Sequence, residues 1–452
     1  MLNRITKACV TLMQRYLPDA FLFAVLLTFI TFIAGMFVTG QSFMAMVGHW
    51  GAGAWSLLGF SMQMALVLVC GHTLASSRPV ARGLQRVASL CSTPESAIVL
   101  VSLVSAIACW INWGFGLVVG ALLAKEVAHR VQGVDYRLLI ASAYSGFLVW
   151  HGGLSGSIPL TLASPDADLA KMTAGVVTSP IPVARTLFST LNLVISGVLI
   201  ATLPFLNRLM HPKDENVFCI YPSQLEAQSQ EEIGDMKIEK PTPAERLERA
   251  RWISWLLFAI GAFYIGLHFY RHGFDLNLNI VILIFLSFGI LFHGRPINFI
   301  QAFNRATTGA AGILLQFPFY AGIMGLMVGA NADGVSLASA VSHAFVGIST
   351  ERTLPLFTFL SAGLVNIFVP SGGGQWAVQG PIMMPAGAAL GIDPARIGLA
   401  ISWGDAWTNM IQPFWALPAL GIAGLGARDI MGFCLIDLLY SGLVISLALL
   451  FI

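Results

Sequence analysis

Four polar side chains follow one another at helical spacing inside an apolar stretch near the carboxyl end of the chain. Asp405 precedes Thr408, Asn409 and Gln412 in the sequence SWGDAWTNMIQPFWALP. Positions i, i+3, i+4 and i+7 share one face of a helix, so this face would present a carboxylate, a hydroxyl and two amides. Such a group can bind a proton, a cation or a polar solute. The alternative is a structural polar seam between helices.

A histidine lies in a second polar stretch, SAYSGFLVWHGGLSGSIPL (142–160). His151 could carry a proton because histidine titrates near neutral pH, or it could be a neutral packing residue. Three glycines and Pro159 should interrupt a helix here, and two prolines should interrupt the stretch that carries Asp405. Paired discontinuous helices are a recurrent feature of membrane transporters. Three residues within the first break are candidate substrate ligands: Ser155, Gly156 and Ser157.

Three consecutive glycines lie between two prolines in NIFVPSGGGQWAVQGP (366–381). Irregular backbone at membrane depth is tolerated only where protein or a wet cavity surrounds it. We therefore interpret this stretch as the tip of a re-entrant helical hairpin. Its glycines would adopt unusual φ values and leave N–H groups uncovered for an anion such as a carboxylate, unless they serve packing instead. The candidate ligands are Ser371, Gly372, Gly373, Gly374 and Gln375.

The whole chain has the composition of a membrane protein. Of its 452 residues, 56% are hydrophobic and 10% are charged, whereas soluble domains average about 25% charged residues. Several apolar runs approach the roughly 20 residues that cross a bilayer as a helix. The clearest runs are 21–38, 55–70, 187–203, 253–269, 276–292 and 431–452. We predict an all-α polytopic membrane protein.

A polar segment divides the apolar sequence into two halves. Residues 211–251 carry both signs of charge and have the composition of a solvated linker rather than of a further folded domain. The N-terminal half, 1–210, would contain one hairpin at about 95–125. The C-terminal half, 252–452, would contain the other at about 356–389.

The two halves share a sequence pattern. QGVDYR (132–137) echoes LGIDPAR (390–396), with an offset of 391 − 133 = 258 between their glycines. At the same offset the triple glycine aligns with NWGFG, which we interpret as the tip of the first hairpin. Its candidate ligands are Asn112, Gly114 and Gly116. The pattern predicts two repeats, each with a re-entrant hairpin and a broken transmembrane helix.

The distribution of basic residues orients these repeats, because loops rich in lysine and arginine stay in the cytoplasm. The N-terminus would lie inside, since Arg4, Lys7 and Arg15 precede the first span. Tracing the spans from there, the first hairpin opens from the inside and the second from the outside. The two repeats are therefore predicted to be inverted, with the C-terminus outside and the linker in the cytoplasm.

Five long motifs identify the chain as similar to the bacterial short-chain fatty acid transporter family, the acetoacetate and butyrate carriers. The motifs are INWGFGLVVGALLAKEVA (111–128), GGLSGSIPL (152–160), LLQFPFYAGI (314–323), VPSGGGQWAVQGP (369–381) and NMIQPFWALPALGIAGLGARDIMG (409–432). That family belongs to the ion-transporter group, whose members have inverted repeats, paired hairpins and elevator-like motion. This chain lacks the Ser-Asn-Thr tip signature of the dicarboxylate members of the group.

The resemblance implies a secondary transporter of short-chain fatty acid anions in the cytoplasmic (inner) membrane, with a proton or sodium as the coupling ion. Asp405 and His151 are the candidate coupling residues, and tryptophans near both motifs could wall an apolar pocket. A homodimer is compatible with this interpretation. The alternative is a cation/proton antiporter that uses Asp405 as its exchange site, which would need a second acid nearby.

Other classes of function find no support in the sequence. No paired-carboxylate, Ser/His/Asp or HExxH arrangement points to an enzyme, so we expect no catalytic residues. The six cysteines lack metal-ligand spacing, so we expect neither a metal site nor a cofactor. A net charge of +2 without a basic run argues against nucleic acid as a partner.

Overall fold

The computed structural model describes residues 2–164, 169–212, 217–219, 242–273 and 277–452. These residues form helices and connecting turns, and no strand occurs among them. Seven of the described helical stretches are long and apolar enough to cross a membrane, so the protein is an all-α polytopic membrane protein. They are Ala20–Thr39, Leu58–Ala75, Pro94–Ile111, Thr190–Leu209, Arg251–His272, Pro296–Val328 and Ala427–Phe451.

The described α-helices fall into an N-terminal and a C-terminal group. The first group is α1 Leu2–Tyr16, α2 Ala20–Thr39, α3 Phe43–Ala54, α4 Leu58–Ala75, α5 Arg78–Ala88, α6 Pro94–Ile111, α7 Trp113–Arg130, α8 Tyr136–Ser145, α9 Ser157–Ala163, α10 Leu169–Met172 and α11 Thr190–Leu209. The second group is α12 Pro243–Glu248, α13 Arg251–His272, α14 Leu278–His293, α15 Pro296–Thr307, α16 Ala311–Val328, α17 Leu337–Gly347, α18 Leu354–Phe368, α19 Gly372–Ala389, α20 Pro394–Thr408, α21 Leu417–Ala423 and α22 Ala427–Phe451.

Two helical hairpins stand where the sequence predicts them, α6 with α7 and α18 with α19. Each tip has an extended residue that caps the second helix with its own side chain. Asn112 has φ −152° and accepts a hydrogen bond from the Phe115 amide at 2.9 Å. Ser371 has φ −150° and accepts one from the Gly374 amide at 3.3 Å. The tips are alike because both need a side-chain oxygen to satisfy the first amides of a helix.

The arms of the first hairpin touch at a glycine. A Cβ added at Gly116 would overlap the main chain of Cys109 on the opposite arm. Gly116 therefore lies inside the hairpin, where it permits close packing of α6 on α7. This position differs from the exposed ligand position that the sequence suggested.

Each hairpin is followed by a helix that is broken before it completes a span. The first broken segment consists of α8, a 3₁₀ turn at Gly146–Gly152 and α9. The second consists of α20, a 3₁₀ turn at Pro413–Ala416 and α21. Proline does not always end a helix here, since α19 continues through Pro381 and Pro385.

The order of these elements repeats along the chain. The second helix of one hairpin begins 372 − 113 = 259 residues after the second helix of the other. The aspartates that cap the broken segments, Asp135 and Asp393, lie 393 − 135 = 258 residues apart. The repeat of elements thus follows the offset read from the sequence. That the two repeats are inverted across the membrane stays a prediction from loop charge.

The remaining helices surround the hairpins. Helix α3, which the sequence analysis did not separate from its neighbours, packs along α16. The two helices approach closely because Gly53 meets Gly325, where an added Cβ would lie 2.7 Å from the Gly325 Cα. Helix α22 packs on α1 and α11. Helix α13, which contains the apolar run 253–269, contacts mainly α14 and leaves large side chains such as Phe263 exposed.

Part of the predicted linker contacts the first half. Most of 211–251 lies outside the described residues, but Phe218 pairs with the start of α8. The Tyr136 amide donates to Phe218 O at 2.9 Å, and the Phe218 amide donates to Asp135 Oδ2 at 2.9 Å. This end of the linker therefore adds a second set of contacts to the capping aspartate of the first broken segment.

We expect Gly116→Ala to destabilise the protein by about 1–3 kcal/mol, because overpacking forces the main chains of the hairpin apart. The measurement is the midpoint of thermal unfolding in detergent. Gly197→Ala is the matched control, since Gly197 is helical and an added Cβ there meets no atom within 4 Å. Equal midpoints for the two variants would show that Gly116 is not a packing contact.

Candidate functional site

The two broken segments meet at a buried histidine and aspartate. His151 Nδ1 lies 3.0 Å from Asp405 Oδ1, and the two side chains are 0% and 1% exposed. His151 ends the first break, and Asp405 lies in the last turn of α20. Both residues are coupling candidates from the sequence, which does not predict that they touch. Their contact joins the two halves of the molecule.

The contacts of the second ring nitrogen of His151 indicate which nitrogen of the ring faces Asp405 as a donor. The Ile158 amide lies 3.1 Å from Nε2, and the Ser157 hydroxyl lies 3.0 Å from it. An amide can only donate, so Nε2 must be the unprotonated nitrogen. Nδ1 therefore carries the hydrogen and donates it to Asp405 Oδ1. The first turn of α9 thus holds the ring in the orientation that directs Nδ1 at the carboxylate.

The tip of the second hairpin rests on this pair. A Cβ at Gly372 would overlap Ser157 Oγ and lie 2.8 Å from His151 Cε1, so only glycine allows this approach. The N–H groups of Gly372 and Gly373 have no hydrogen-bond partner among the described residues. Gly373 is exposed, and an added Cβ there would meet no atom within 4 Å. The exposed Gly373 amide is therefore unpaired at the start of α19, next to Gly372, which is buried against His151.

The conformation of the triple glycine differs from the sequence expectation. Gly372 begins α19, and none of the three glycines has a positive φ. The expected unusual backbone is wrong, because Ser371 supplies the extended residue of the turn. The stretch needs glycine at Gly372 for close approach rather than for a special φ.

Two serines of the first break connect the hairpin tips. Ser155 Oγ accepts a hydrogen bond from the Trp113 amide at 3.1 Å, at the first tip. Ser157 lies against Gly372 at the second tip. Gly156 stands between them, where an added Cβ would overlap His151 O. Both serines are half-buried, so their hydroxyls lie at the edge of the accessible region.

The other predicted ligands fall into two groups. Asn112 caps the first tip, and Gly114 lies near Leu278, so both help shape that tip. The amide of Gln375 is fully buried and donates to Ala362 O at 2.8 Å. It thus belongs to the interior of the second hairpin.

The polar residues after Asp405 are also engaged inside the protein. The Thr408 hydroxyl donates to Gly363 O at 2.8 Å, and Gln412 Oε1 accepts from the Phe414 amide at 2.8 Å. Asn409 Oδ1 accepts from Asn366 Nδ2 at 2.9 Å. The predicted common helical face is wrong for Gln412, because α20 ends at Thr408 and Gln412 caps the following 3₁₀ turn.

Comparison with known proteins gives the family of this chain. A family model described as Short chain fatty acid transporter matches residues 1–452. The chain belongs to the short chain fatty acid transporter family. The family likeness stated from the sequence motifs is thereby confirmed, and the protein is a transporter and not an enzyme.

Two relatives in this family both carry the name "Putative short-chain fatty acid transporter". The one from Escherichia coli (strain K12) is 46% identical over 451 residues and covers 99% of this chain and 99% of its own. The one from Haemophilus influenzae (strain ATCC 51907 / DSM 11121 / KW20 / Rd) is 44% identical over 455 residues and covers 100% of both chains. The match of full lengths shows that the family relationship includes both hairpins and both broken segments.

Solved structures are more distant. The YdaH transporter of Alcanivorax borkumensis has 18% identity and a TM-score of 0.42, over 96% of this chain and 97% of that one. MtrF of Neisseria gonorrhoeae has 15% identity and a TM-score of 0.40, over 98% of this chain and 95% of that one. At these values neither topology nor mechanism is carried over to this transporter.

An aromatic cluster borders the tips of this family member. The Trp113 ring lies 5.1 Å from Trp415 and 6.1 Å from Trp150, measured between ring centroids. Phe147 stacks on Trp150, and Phe60 contacts both Trp113 and Trp415. Trp113 and Phe60 are half-buried, while the others are buried. The cluster gives this transporter an apolar wall beside Ser155.

A second acid of this transporter lies apart from the site. Asp437 in α22 is fully buried, and neither of its carboxyl oxygens has a hydrogen-bond partner among the described residues. Its neighbour Cys434 is also buried. Asp405 is the candidate coupling acid from the sequence. Of these two acids, Asp405 is the one that contacts a histidine among the described residues.

We expect Gly372→Ala to lower substrate exchange by about 5- to 150-fold, the rate equivalent of the roughly 1–3 kcal/mol that overpacking costs. The added methyl group would push the tip off Ser157 and His151. Counterflow of labelled butyrate in proteoliposomes measures the effect. Gly48→Ala is the control, because an added Cβ at Gly48 meets nothing within 4 Å. Equal exchange in both variants would contradict close seating of the tip.

Proposed function

We propose that this transporter carries short-chain fatty acid anions, including acetoacetate and butyrate, across the cytoplasmic membrane together with a proton. The observation that carries the proposal is the buried His151–Asp405 pair directly beneath the tip of the second hairpin. Family membership supports the substrate class. The position of the pair supports the proton.

The carboxylate of the substrate would bind at the second tip. The uncovered amides of Gly372 and Gly373 point from the start of an 18-residue helix, whose dipole adds partial positive charge. The hydroxyl of Ser157 lies beside Gly372, while that of Ser155 lies at the first tip. Main-chain and hydroxyl donors suit an anion that must also leave, because they bind without a fixed positive charge.

The short acyl chain would pack on the aromatic wall. Trp113 and Phe60 are the half-buried members of that cluster, and Trp113 donates its amide to Ser155. Two to four carbons therefore suit a site with donors on one side and rings on the other. A second carboxylate would meet the rings and lose its solvation, which disfavours dicarboxylates.

A proton suits the coupling step better than a sodium ion. A sodium ion needs oxygen ligands, yet Asn409 Oδ1 and Gln412 Oε1 already accept hydrogen bonds, at 2.9 Å and 2.8 Å. The amide atoms of these residues that lack a partner among the described residues are nitrogens, which repel a cation. Asp405 Oδ2 also lacks a partner in the described part of the chain and can take a proton.

The coupling proton would also change the contacts of the tip. An ionised Asp405 close to a bound carboxylate repels it, so a proton on the pair favours substrate binding. If the proton reaches His151 Nε2, the hydrogen bond from the Ile158 amide must break. That rearranges the start of α9, including Ser157, which touches Gly372. Proton loading and movement of the second hairpin are linked through this one ring.

The antiporter interpretation is the weaker one. Cation exchange at Asp405 needs a second acid nearby, and the titratable partner that the structure places there is His151. Family membership also favours a carboxylate substrate. Carboxylate-dependent transport is therefore the function that the site supports best.

Asp405→Asn should abolish accumulation driven by a proton gradient while exchange of substrate persists, because the amide cannot take up the proton. Counterflow and accumulation of labelled butyrate are compared in proteoliposomes at several pH values. Asp437→Asn is the matched control, since Asp437 is an equally buried intramembrane acid away from the pair. Accumulation by Asp405→Asn that equals the control would refute the proton role, and accumulation that follows a sodium gradient would replace the proton with sodium.

We further propose the inverted arrangement, with the N-terminus inside, the first tip reached from the cytoplasm and the second from outside. Single cysteines at Phe115 and Gly373 test it, since Gly373 is exposed and Phe115 is half-buried. Under this arrangement, a membrane-impermeant thiol reagent should label the two positions preferentially from opposite faces. Labelling of both from the same face in every transport state would contradict the inverted arrangement.

A further inference from the structure

The first arm of the second hairpin carries an asparagine that reaches the helix bearing Asp405. Asn366 Nδ2 lies 2.7 Å from Asp405 O, 3.0 Å from Thr408 Oγ1 and 2.9 Å from Asn409 Oδ1. The side chain is fully buried. These three contacts attach α18 to the end of α20, where the broken segment leaves its helical path.

The second hairpin therefore touches both members of the buried pair. Its tip contacts His151 through Gly372, and its arm holds the main chain of Asp405 through Asn366. A movement of the hairpin would act on the histidine and on the aspartate together. The distance between Nδ1 and the carboxylate depends on this two-point contact.

The NH₂ group of Asn366 has more acceptors within hydrogen-bond distance than it has hydrogens. One NH₂ group has two hydrogens, but three oxygens lie at hydrogen-bond distance from it. The Thr408 hydroxyl is an acceptor here and not a donor to Asn366, because its own hydrogen goes to Gly363 O at 2.8 Å. One of the three acceptors is thus without a hydrogen from Asn366 at any moment, so the contact has alternative pairings.

Unpaired polar atoms gather at the same place. Asn366 Oδ1, Asn409 Nδ2 and Asp405 Oδ2 are buried and have no hydrogen-bond partner among the described residues. The two amides make one hydrogen bond to each other and leave the reciprocal donor and acceptor unused. Buried unpaired groups are unfavourable, so a conformation in which these groups pair would be stabilised relative to this one.

We propose that Asn366 is a positioning residue of this transporter, which holds Asp405 against His151 and makes movement of the second hairpin depend on the state of that pair. The inference rests on the proposed proton role of the pair. Asn366 acts through Asp405, and His151 is the titratable side chain that faces Asp405 in the described part of the chain.

Asn366→Leu tests this role, because leucine has nearly the same volume and no N–H group. Counterflow and proton-driven accumulation of labelled butyrate are measured in proteoliposomes across a range of pH. We expect the ratio of accumulation to counterflow to fall at least about tenfold, a change of about 1.4 kcal/mol in coupling, and its pH dependence to flatten.

Asn207→Leu is the matched control. Asn207 is also fully buried, and its Nδ2 donates to Ser102 Oγ at 2.9 Å and Ser145 Oγ at 2.8 Å, on helices of the first half. This variant should lose stability but keep the ratio and the pH profile. The same ratio and pH profile in Asn366→Leu and Asn207→Leu would overturn the proposal.

A milder variant decides the matter if Asn366→Leu does not fold. Thr408→Val removes one acceptor of Asn366 and the bond to Gly363 O while it keeps the shape of the side chain. We expect a smaller fall in the same ratio, and an unchanged ratio would overturn the proposal.

The two proposals fail in different ways. Normal accumulation by Asp405→Asn would instead refute the proposed function. Loss of coupling in Asp405→Asn with normal coupling in Asn366→Leu would end this inference alone.

Discussion

The contact between His151 and Asp405 is the interaction on which the rest of the site depends. A charged carboxylate inside an apolar bundle is costly unless a donor meets it, and the donor here comes from the other half of the chain. The imidazole can donate from Nδ1 only because Ile158 occupies Nε2. Both broken segments must therefore end where they do, or one polar group would be left alone in the interior.

Close packing of the main chain makes this contact possible. Gly153 lies against Trp110 O of the first hairpin, and Gly404 lies against Phe359 O of the second, with no room for a side chain at either place. Small residues at helix contacts let main chains approach in membrane proteins, where no hydrophobic force drives helices together. The glycines thus bring each hairpin onto its broken segment, and the polar pair forms between the two assemblies.

The site separates a surface that can meet the substrate from an interior that can hold the proton. Gly373 is exposed and Ser155 and Ser157 are half-buried, whereas His151 and Asp405 are hidden beneath them. The separation suits the proposed carrier, because the proton would be held where water cannot exchange it freely and the anion would bind where it can leave. Gly372 joins the two regions, so it is the position where substrate binding can alter the buried pair.

From hydropathy, the placement of glycine and proline, and charge within apolar runs, the amino-acid sequence predicts the membrane class, the two hairpins and the two breaks, and it marks Asp405 and His151 as candidate site residues. It also indicated the family through long motifs. The tertiary structure was needed to reveal that His151 meets Asp405 and that Gly372 permits a close approach. It alone showed that Gln412 leaves the helical face and that Asn366 holds the second hairpin to α20.

Asn366 carried the same signal as Asp405, a polar residue within an apolar run, but its partners lie some forty positions away. Contacts between distant segments depend on how helices pack, and a local pattern holds no information about which neighbour a side chain will meet.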